Sequence, residues 1–301
     1  MEVSVIILTK NEAGCIGAVL EMVFRQEFDG DYEVIIIDSG SLDATLEIAR
    51  RYPAKVVKIK PEEFSHSQTR NLGVKLSKGE YVVFLTADAI PASNAWLKNL
   101  VQPLKQNPEI AASYSRQIPK KGCYPPEARD ILAGAGLIPR LKFINPEDPE
   151  QVEYFKNNPW KYIAFSNVSA VYRKNLLEQH PFRQDLAAVE DQEWAYRLIK
   201  TGKLIRYEPL SSVYHSHNDT FRKLYSRHYR YGYSFKEFIR ERARGTFYYF
   251  IKVTVYETIL DYLFLCTYAL GASKKIFWIF KLPLFRIIKN YAFYRGFKNG
   301  R

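Results

Sequence analysis

The chain has 301 residues, with 44 Lys+Arg against 32 Asp+Glu and a formal net charge of +12. Apolar residues make up 47%, enough for a sizeable core, which excludes a disordered chain. Cys15, Cys123 and Cys266 lie far apart with no CxxC or Cys/His spacing, arguing against a disulfide framework or zinc module and for a reducing, cytosolic setting.

Met1 leads directly into an apolar run at 3–9 that reads as a buried strand, with no signal peptide before it. A helix follows, with Ile16, Val19, Leu20 and Val23 at helical spacing. A second buried strand covers 33–38, and Ser39-Gly40-Ser41 makes a turn that also offers a helix N-cap. A helix to Arg51, a short strand at 56–59 and a helix over 71–76 come next. Lys78-Gly79 ends that helix, and 81–85 is a third strong strand. This βαβαβ order predicts an α/β fold on a parallel sheet with right-handed crossovers, where ligands bind beyond the carboxyl ends of the strands. From about 115 to 217 the pattern loosens. Pro-rich loops fall at 119–126 and 139–149, a strand at 168–172, and a helix at 191–201 ended by Gly202. Short strands at 204–207 and 212–215 complete a mixed sheet flanked by helices.

The polar residues fall where such a sheet gathers them. Thr9-Lys10-Asn11-Glu12 follows the first strand, Asp38 ends the second, and Thr86-Ala87-Asp88 ends the third. No GxxxxGK or GxGxxG follows a strand, so a nucleotide would be gripped by side chains. Asp38 suits a pyrimidine ring N–H, Glu12 ribose hydroxyls, and Asp88 a Mg²⁺ or Mn²⁺ bridging a diphosphate. Equally, Asp38 and Asp88 are the residues that cap turns after strands. Glu190-Asp191-Gln192-Glu193-Trp194 opens a helix, where a carboxylate is stabilised as an anion and poised as a base, or simply complements the helix dipole. His215 and His217, two apart on a strand, share a face and suit either metal ligation or structure.

Taken together, VSVIILTKNEA, VIIIDSGSLDAT, FSHSQTRNLG, VVFLTADAIP, YSRQIP, FSNVSAVYR, VEDQEWAYRL and VYHSHNDTF resemble, in order and spacing, family 2 glycosyltransferases of the GT-A type. They are most similar to a rhamnosyltransferase-like branch, and the resemblance covers roughly residues 3–235. That branch replaces the usual D-x-D with T-Q-D-A and a following Pro, and residues 86–91 here differ from it by one residue. The resemblance implies a nucleotide and donor pocket lined by Thr9, Asn11, Glu12, Asp38, Arg70, Thr86 and Asp88. It implies a divalent metal, Mg²⁺ or Mn²⁺, on Asp88 and His215, and Asp191 as catalytic base in an inverting transfer. Arg116, Glu190 and Trp194 are expected on the acceptor side. A GT-A domain would span 1–217, with a nucleotide-binding part to 115 and an acceptor and catalytic part from 116. Residues 218–301 would form a helical, basic extension.

That extension carries all the excess charge. Residues 222–301 hold 17 bases and 4 acids, against a net of −1 for the rest, and 22 of the 45 aromatics. Arg222, Arg227, Arg230 and Arg240 are interleaved with tyrosines. The apolar stretch 246–272 is interrupted by Lys252, Glu257 and Asp261, and each such charge costs about 2.5–3.5 kcal/mol at the centre of a spanning helix, so a transmembrane span is not expected. The last forty residues contain eight bases and no acid. They read as an in-plane amphipathic helix on an anionic membrane surface.

The expected protein moves a sugar, with dTDP-rhamnose suggested by the branch, from a nucleotide donor to a glycan or lipid-linked acceptor in polysaccharide assembly. It would be cytoplasmic and peripheral on the inner face of the cell membrane, and a homo-oligomer is compatible with this. The alternatives are a hexosyltransferase acting on polyprenyl phosphate and, in another class, a nucleic-acid binder using the aromatic tail. The tail is too aliphatic for a solvated groove, and no nucleic acid is expected.

Overall fold

A computed structural model describes residues 1–239 and 242–300; Arg240, among the tail bases, lies outside the described residues. The apolar runs become β1 (Val3–Thr9), β2 (Tyr32–Asp38), β3 (Lys55–Lys58) and β4 (Tyr81–Thr86), followed by β5 (Ile90–Pro91), β6 (Ile110–Ile118), β7 (Arg140–Lys142), β8 (Ser169–Arg173) and β9 (Leu204–Tyr214). The helices are α1 (Ile16–Phe24), α2 (Thr45–Ala49), α3 (His66–Leu76), α4 (Trp96–Gln106), α5 (Pro125–Gly134), α6 (Pro149–Asn157), α7 (Lys174–Gln179), α8 (Glu190–Lys200), α9 (Phe221–Lys236), α10 (Phe247–Thr267) and α11 (Ala272–Asn299). They pack as two units: Met1–Ile118, Ala135–Asp185 and Glu190–His215 form one, and Pro119–Gly134, Leu186–Val189 and Ser216–Arg301 the other. The division expected after residue 217 therefore omits α5, which packs with the C-terminal helices.

The first unit is one mixed sheet in the order β3-β2-β1-β4-β8-β6-β9-β5, with β7 also on β9. β1 runs parallel to β2 and β4, and β2 to β3. β8 lies antiparallel between β4 and β6, and β6 runs parallel to β9. Strand alternation sends Val5, Ile7 and Val83 into a core with Ile16, Leu20, Trp96 and Leu100. Ile6, Ile35 and Phe84 face the other way, against Tyr172, Phe182, Trp194 and Leu198. Both faces are covered, which is why these strands read as unbroken apolar runs.

Four expectations change. The strands expected at 204–207 and 212–215 are one strand, β9. Its pairing jumps from Ser115↔Glu208 to Arg116↔Ser212, so the bulge and not a turn accommodates Pro209. α3 starts at His66, five residues before the expected 71, because Ser65 Oγ accepts from Gln68 N at 3.1 Å and caps it. Ser39-Gly40-Ser41 caps no helix; α2 starts after Ala44 without a side-chain cap. The Pro-rich segments start helices. Pro149 occupies the first turn of α6, whose cap Asp148 accepts from the amides of Glu150 and Gln151. Proline fits there because that N–H has no partner within the helix.

The second unit is built from α5, α9, α10 and α11. α9 and α11 cross at Gly232 and Gly296, where a Cβ on either would fall on the backbone carbonyl of Phe293 or Tyr229. Among the described residues no helix is long and apolar enough to cross a membrane.

Candidate active site

The carboxyl ends of β1, β2 and β4 carry the first group of polar residues, and hydrogen bonds tie their loops together. Asn11, at φ 56°, donates its backbone N–H to Ser41 Oγ at 2.9 Å and accepts at Oδ1 from Leu42 N at 2.8 Å. Glu12 N donates to Thr45 Oγ1 at 2.7 Å, and Ala13 N to Asp43 Oδ2 at 3.1 Å. Asp38, 1% exposed, closes its own turn, accepting from the amides of Gly40 and Ser41 at 3.0 Å and from Ser41 Oγ. Three of about four lone-pair positions are thereby used within the protein. Thr9 and Thr86 differ: their hydroxyls are buried and, among the described residues, have no hydrogen-bond partner. Buried polar atoms of this kind are expected to be satisfied, so two unmet hydroxyls at adjoining strand ends mark a place where a ligand completes the bonding.

Asp88 follows β4, and His215 lies just past the end of β9, which stops at Tyr214; the histidines thus follow the strand and are not on it. His215 Nε2 stands 3.5 Å from Asp88 Oδ2, and its Nδ1 is 3.0 Å from Gln117 Oε1. The amide oxygen can only accept, so His215 carries its proton on Nδ1 and presents the Nε2 lone pair toward the Asp88 carboxylate. One carboxylate oxygen and one imidazole nitrogen so placed fit two positions on a divalent ion with bonds of about 2.1 Å.

The third cluster sits at the start of α8. Glu190, 4% exposed, is ion-paired with Arg70 of α3 and lies 3.4 Å from Asn167 Nδ2. Asp191 accepts from Asn167 N at 2.7 Å through Oδ2 and from Gln192 N at 2.8 Å through Oδ1. Tyr172 donates its hydroxyl to Asn167 Oδ1 at 2.6 Å, which fixes the residue that holds both acids. Burial and the neighbouring Glu190 carboxylate push Asp191 up to about 7, although part of its surface stays open to solvent. Burial works against the Glu190 carboxylate too, but Arg70 and His66 outweigh it and hold Glu190 below the usual range. The arrangement separates two adjacent acids into a fixed anion and a carboxyl that takes and releases a proton near neutrality.

Two residues expected on the acceptor side are buried and engaged within the protein. Trp194 is fully buried; its indole N–H donates to His180 O at 2.7 Å and its ring packs edge-on against Tyr172 at 4.8 Å, so it supports the core. Glu190 is the counter-ion of Arg70. Arg116, on β6, is half-buried, and its Nε has no partner among the described residues. Asn167 and Gln117 were not singled out from sequence, although both stand inside the recognised FSNVSAVYR and YSRQIP segments.

The family model for glycosyl transferase family 2 matches residues 4–181. The chain is 32% identical over 213 residues to the O-antigen chain rhamnosyltransferase WbaN of Salmonella anatum, covering 69% of this chain and 64% of that protein. It is also 32% identical over 237 residues to RfbN of Salmonella typhimurium, described in the same words, covering 77% and 72%. Among solved structures, the mannosyltransferase PcManGT of Pyrobaculum calidifontis, in complex with GDP-Man and Mn²⁺, superposes with a TM-score of 0.61 at 18% identity, covering 97% of this chain and 86% of that one. At that identity the likeness is one of fold, and it identifies the mixed sheet as the GT-A type. The chain belongs to glycosyl transferase family 2, in its rhamnosyltransferase-like branch, and carries that family's nucleotide-sugar-dependent transferase domain.

Proposed function

We propose that this protein is an inverting, metal-dependent rhamnosyltransferase that extends a glycan or lipid-linked acceptor in surface polysaccharide assembly, working at the inner face of the cell membrane. The observation that carries the reading is Asp191: a half-open carboxyl at a helix start, with a pKa near neutrality and both oxygens aimed by backbone amides. Asp191 removes the proton from an acceptor hydroxyl. That oxygen attacks the anomeric carbon from the face opposite the nucleotide, and the bond from carbon to the diphosphate oxygen breaks as the new one forms. The proton stays on Asp191 and the electron pair leaves with the nucleoside diphosphate. Asp88 and His215 are the residues that would hold a Mg²⁺ or Mn²⁺, with His217 two residues on as a further candidate by its spacing. Such an ion supplies positive charge for the departing diphosphate. Thr9 and Thr86 would donate their unmet hydroxyls to the donor nucleotide. The rhamnose assignment rests on the two Salmonella relatives.

The test is a thermal-shift screen of nucleotide sugars with and without Mn²⁺, followed by transfer assays on Asp191→Asn. dTDP-rhamnose should stabilise most, since stabilisation follows ligand concentration over dissociation constant. Asp191→Asn should lose about 10²–10⁴-fold in kcat while keeping the donor-induced shift. Near-normal turnover in that variant would remove Asp191 as the base.

A further inference from the structure

α10 and α11 are built inside out. The two acids that interrupt the apolar run of α10 turn inward, while Lys252 stays exposed: Asp261 is 1% exposed and accepts bidentately from Arg286 of α11, itself fully buried, at 2.6 and 2.7 Å. Arg286 also reaches Asp130 of α5 at 2.7 Å and Glu257 at 3.3 Å, and Lys289 reaches Asp130 at 2.6 Å. With the polar residues turned inward, the outer faces are apolar. Ile251, Val255, Ile259 and Leu263 recur every four residues along the exposed side of α10, Leu263 at 63% exposure. Phe280, Leu284 and Ile287, spaced four and three residues apart, line the exposed side of α11, Phe280 at 79%. The in-plane amphipathic helix expected over the last forty residues falls mostly within α11, and α10 carries a second apolar outer face beside it.

The exposed charge of the described part of this unit has one sign. Among the described residues of this unit, every acid (Glu127, Asp130, Asp219, Glu237, Glu257 and Asp261) is buried or half-buried, whereas Arg222, Lys223, Arg230, Lys252, Lys274, Arg295 and Lys298 are exposed. Large exposed apolar side chains in a unit whose exposed charges, among the described residues, are all basic select against a second copy, which would bring the same bases with it. They select for a surface that is apolar within and anionic outside.

We propose that the outer faces of α10 and α11 enter one leaflet of an anionic lipid bilayer, with the Arg286–Asp261 core holding the two helices together as they do so. This deepens the membrane location proposed above and rests on it. The stripes bury apolar area in the acyl boundary while the bases contact the headgroups.

The experiment is flotation of the full chain with phosphatidylcholine vesicles with and without phosphatidylglycerol, read beside nucleotide-sugar thermal shifts on the same samples. The wild-type chain should float with the anionic vesicles, less so with the neutral ones, and a Leu263→Glu/Phe280→Glu variant should bind about a hundredfold more weakly. Its helical circular dichroism and donor-induced shift should be unchanged. If that variant loses helicity, Val255→Asn/Leu284→Asn is read in its place, with the same expectation. Failure of the wild-type chain to float, or equal flotation of the variant, overturns the proposal. So does a wild-type dimer that the variant abolishes, or salt-sensitive binding of RNA in place of vesicles. Because donor binding is read separately, loss of flotation with that shift intact removes the membrane surface and leaves the transferase reading standing.

Discussion

In the sheet unit, Glu190 and Asp191 stand side by side at the start of α8 with Arg70 as the paired cation; in the helical unit, Asp130, Glu257 and Asp261 converge on Arg286 and Lys289. Both clusters are buried or nearly so, yet their electrostatics run in opposite directions. The first leaves one carboxyl undercompensated, and its pKa climbs to about 7. In the second, burial opposes the Asp130 carboxylate but Lys289 and Arg286 outweigh it, keeping Asp130 well below the usual range. Buried acids matched by several cations, here Arg286, Lys289 and Arg129, lock helices together. Of two adjacent acids with one paired cation between them, one is left available to move a proton.

The comparison breaks most visibly at Arg286. Arg286→Met leaves Asp261 buried without its bidentate partner, and urea unfolding should show a loss of about 3–5 kcal/mol. Arg286→Met/Asp261→Leu should recover part of it, because Asp261 no longer needs a partner although Asp130, Glu257 and Arg129 each still lose one. If the double variant is as unstable as the single one, the cluster is not the lock described here.

A smaller effect is expected at Gln117, whose amide oxygen fixes the His215 tautomer. Gln117→Leu lets the ring rotate and take either tautomer, and titration with Mn²⁺ should show about 10–100-fold weaker binding. Nucleotide binding in chelator should stay unchanged. A loss of equal size without metal would show that Gln117 supports the pocket and not the ion.

How much of this is legible in the sequence depends on whether a residue acts through its own segment. The central strands are readable because burial on both faces leaves an unbroken apolar run. Asp88, His215 and Asp191 are readable as positions because each ends or begins an element. Asn167 is not, because it holds Asp191 through its backbone amide, a group every residue has. Gln117 is not, because its partner lies 98 residues away. Trp194 beside an acidic pair reads as part of a site, but the turn of α8 points it into the core. In the tail the residue types are plain and the faces are not: Glu257 and Asp261 interrupt an apolar run on paper, and only the packing of α11 shows that they turn inward. The Pro-rich segments mislead for a related reason, since proline both ends strands and opens helices.

The smallest expected effect separates the two clusters by pH. The ordinary Asp value is about 3.9, and the folded Asp191 is pushed up to about 7. Between those values the folded chain keeps a proton that the unfolded chain has released. The contribution of Asp191 to stability therefore falls as pH rises from about 4 to 7 and is level above that. At pH 8 the ionised carboxylate is a net cost, reduced by the part of its surface that remains in water, and about 1–2 kcal/mol is a reasonable remainder. Asp191→Asn mimics the neutral acid, so it should raise the melting temperature at pH 8 by about 2–8 °C and leave it nearly unchanged at pH 4. The same window predicts that wild-type kcat climbs through pH 7 as the base ionises. A variant equally stabilised at both pH values would mean that Asp191 carries no unfavourable charge in the folded chain. The difference between its cluster and that around Arg286 would then be one of location and not of electrostatics.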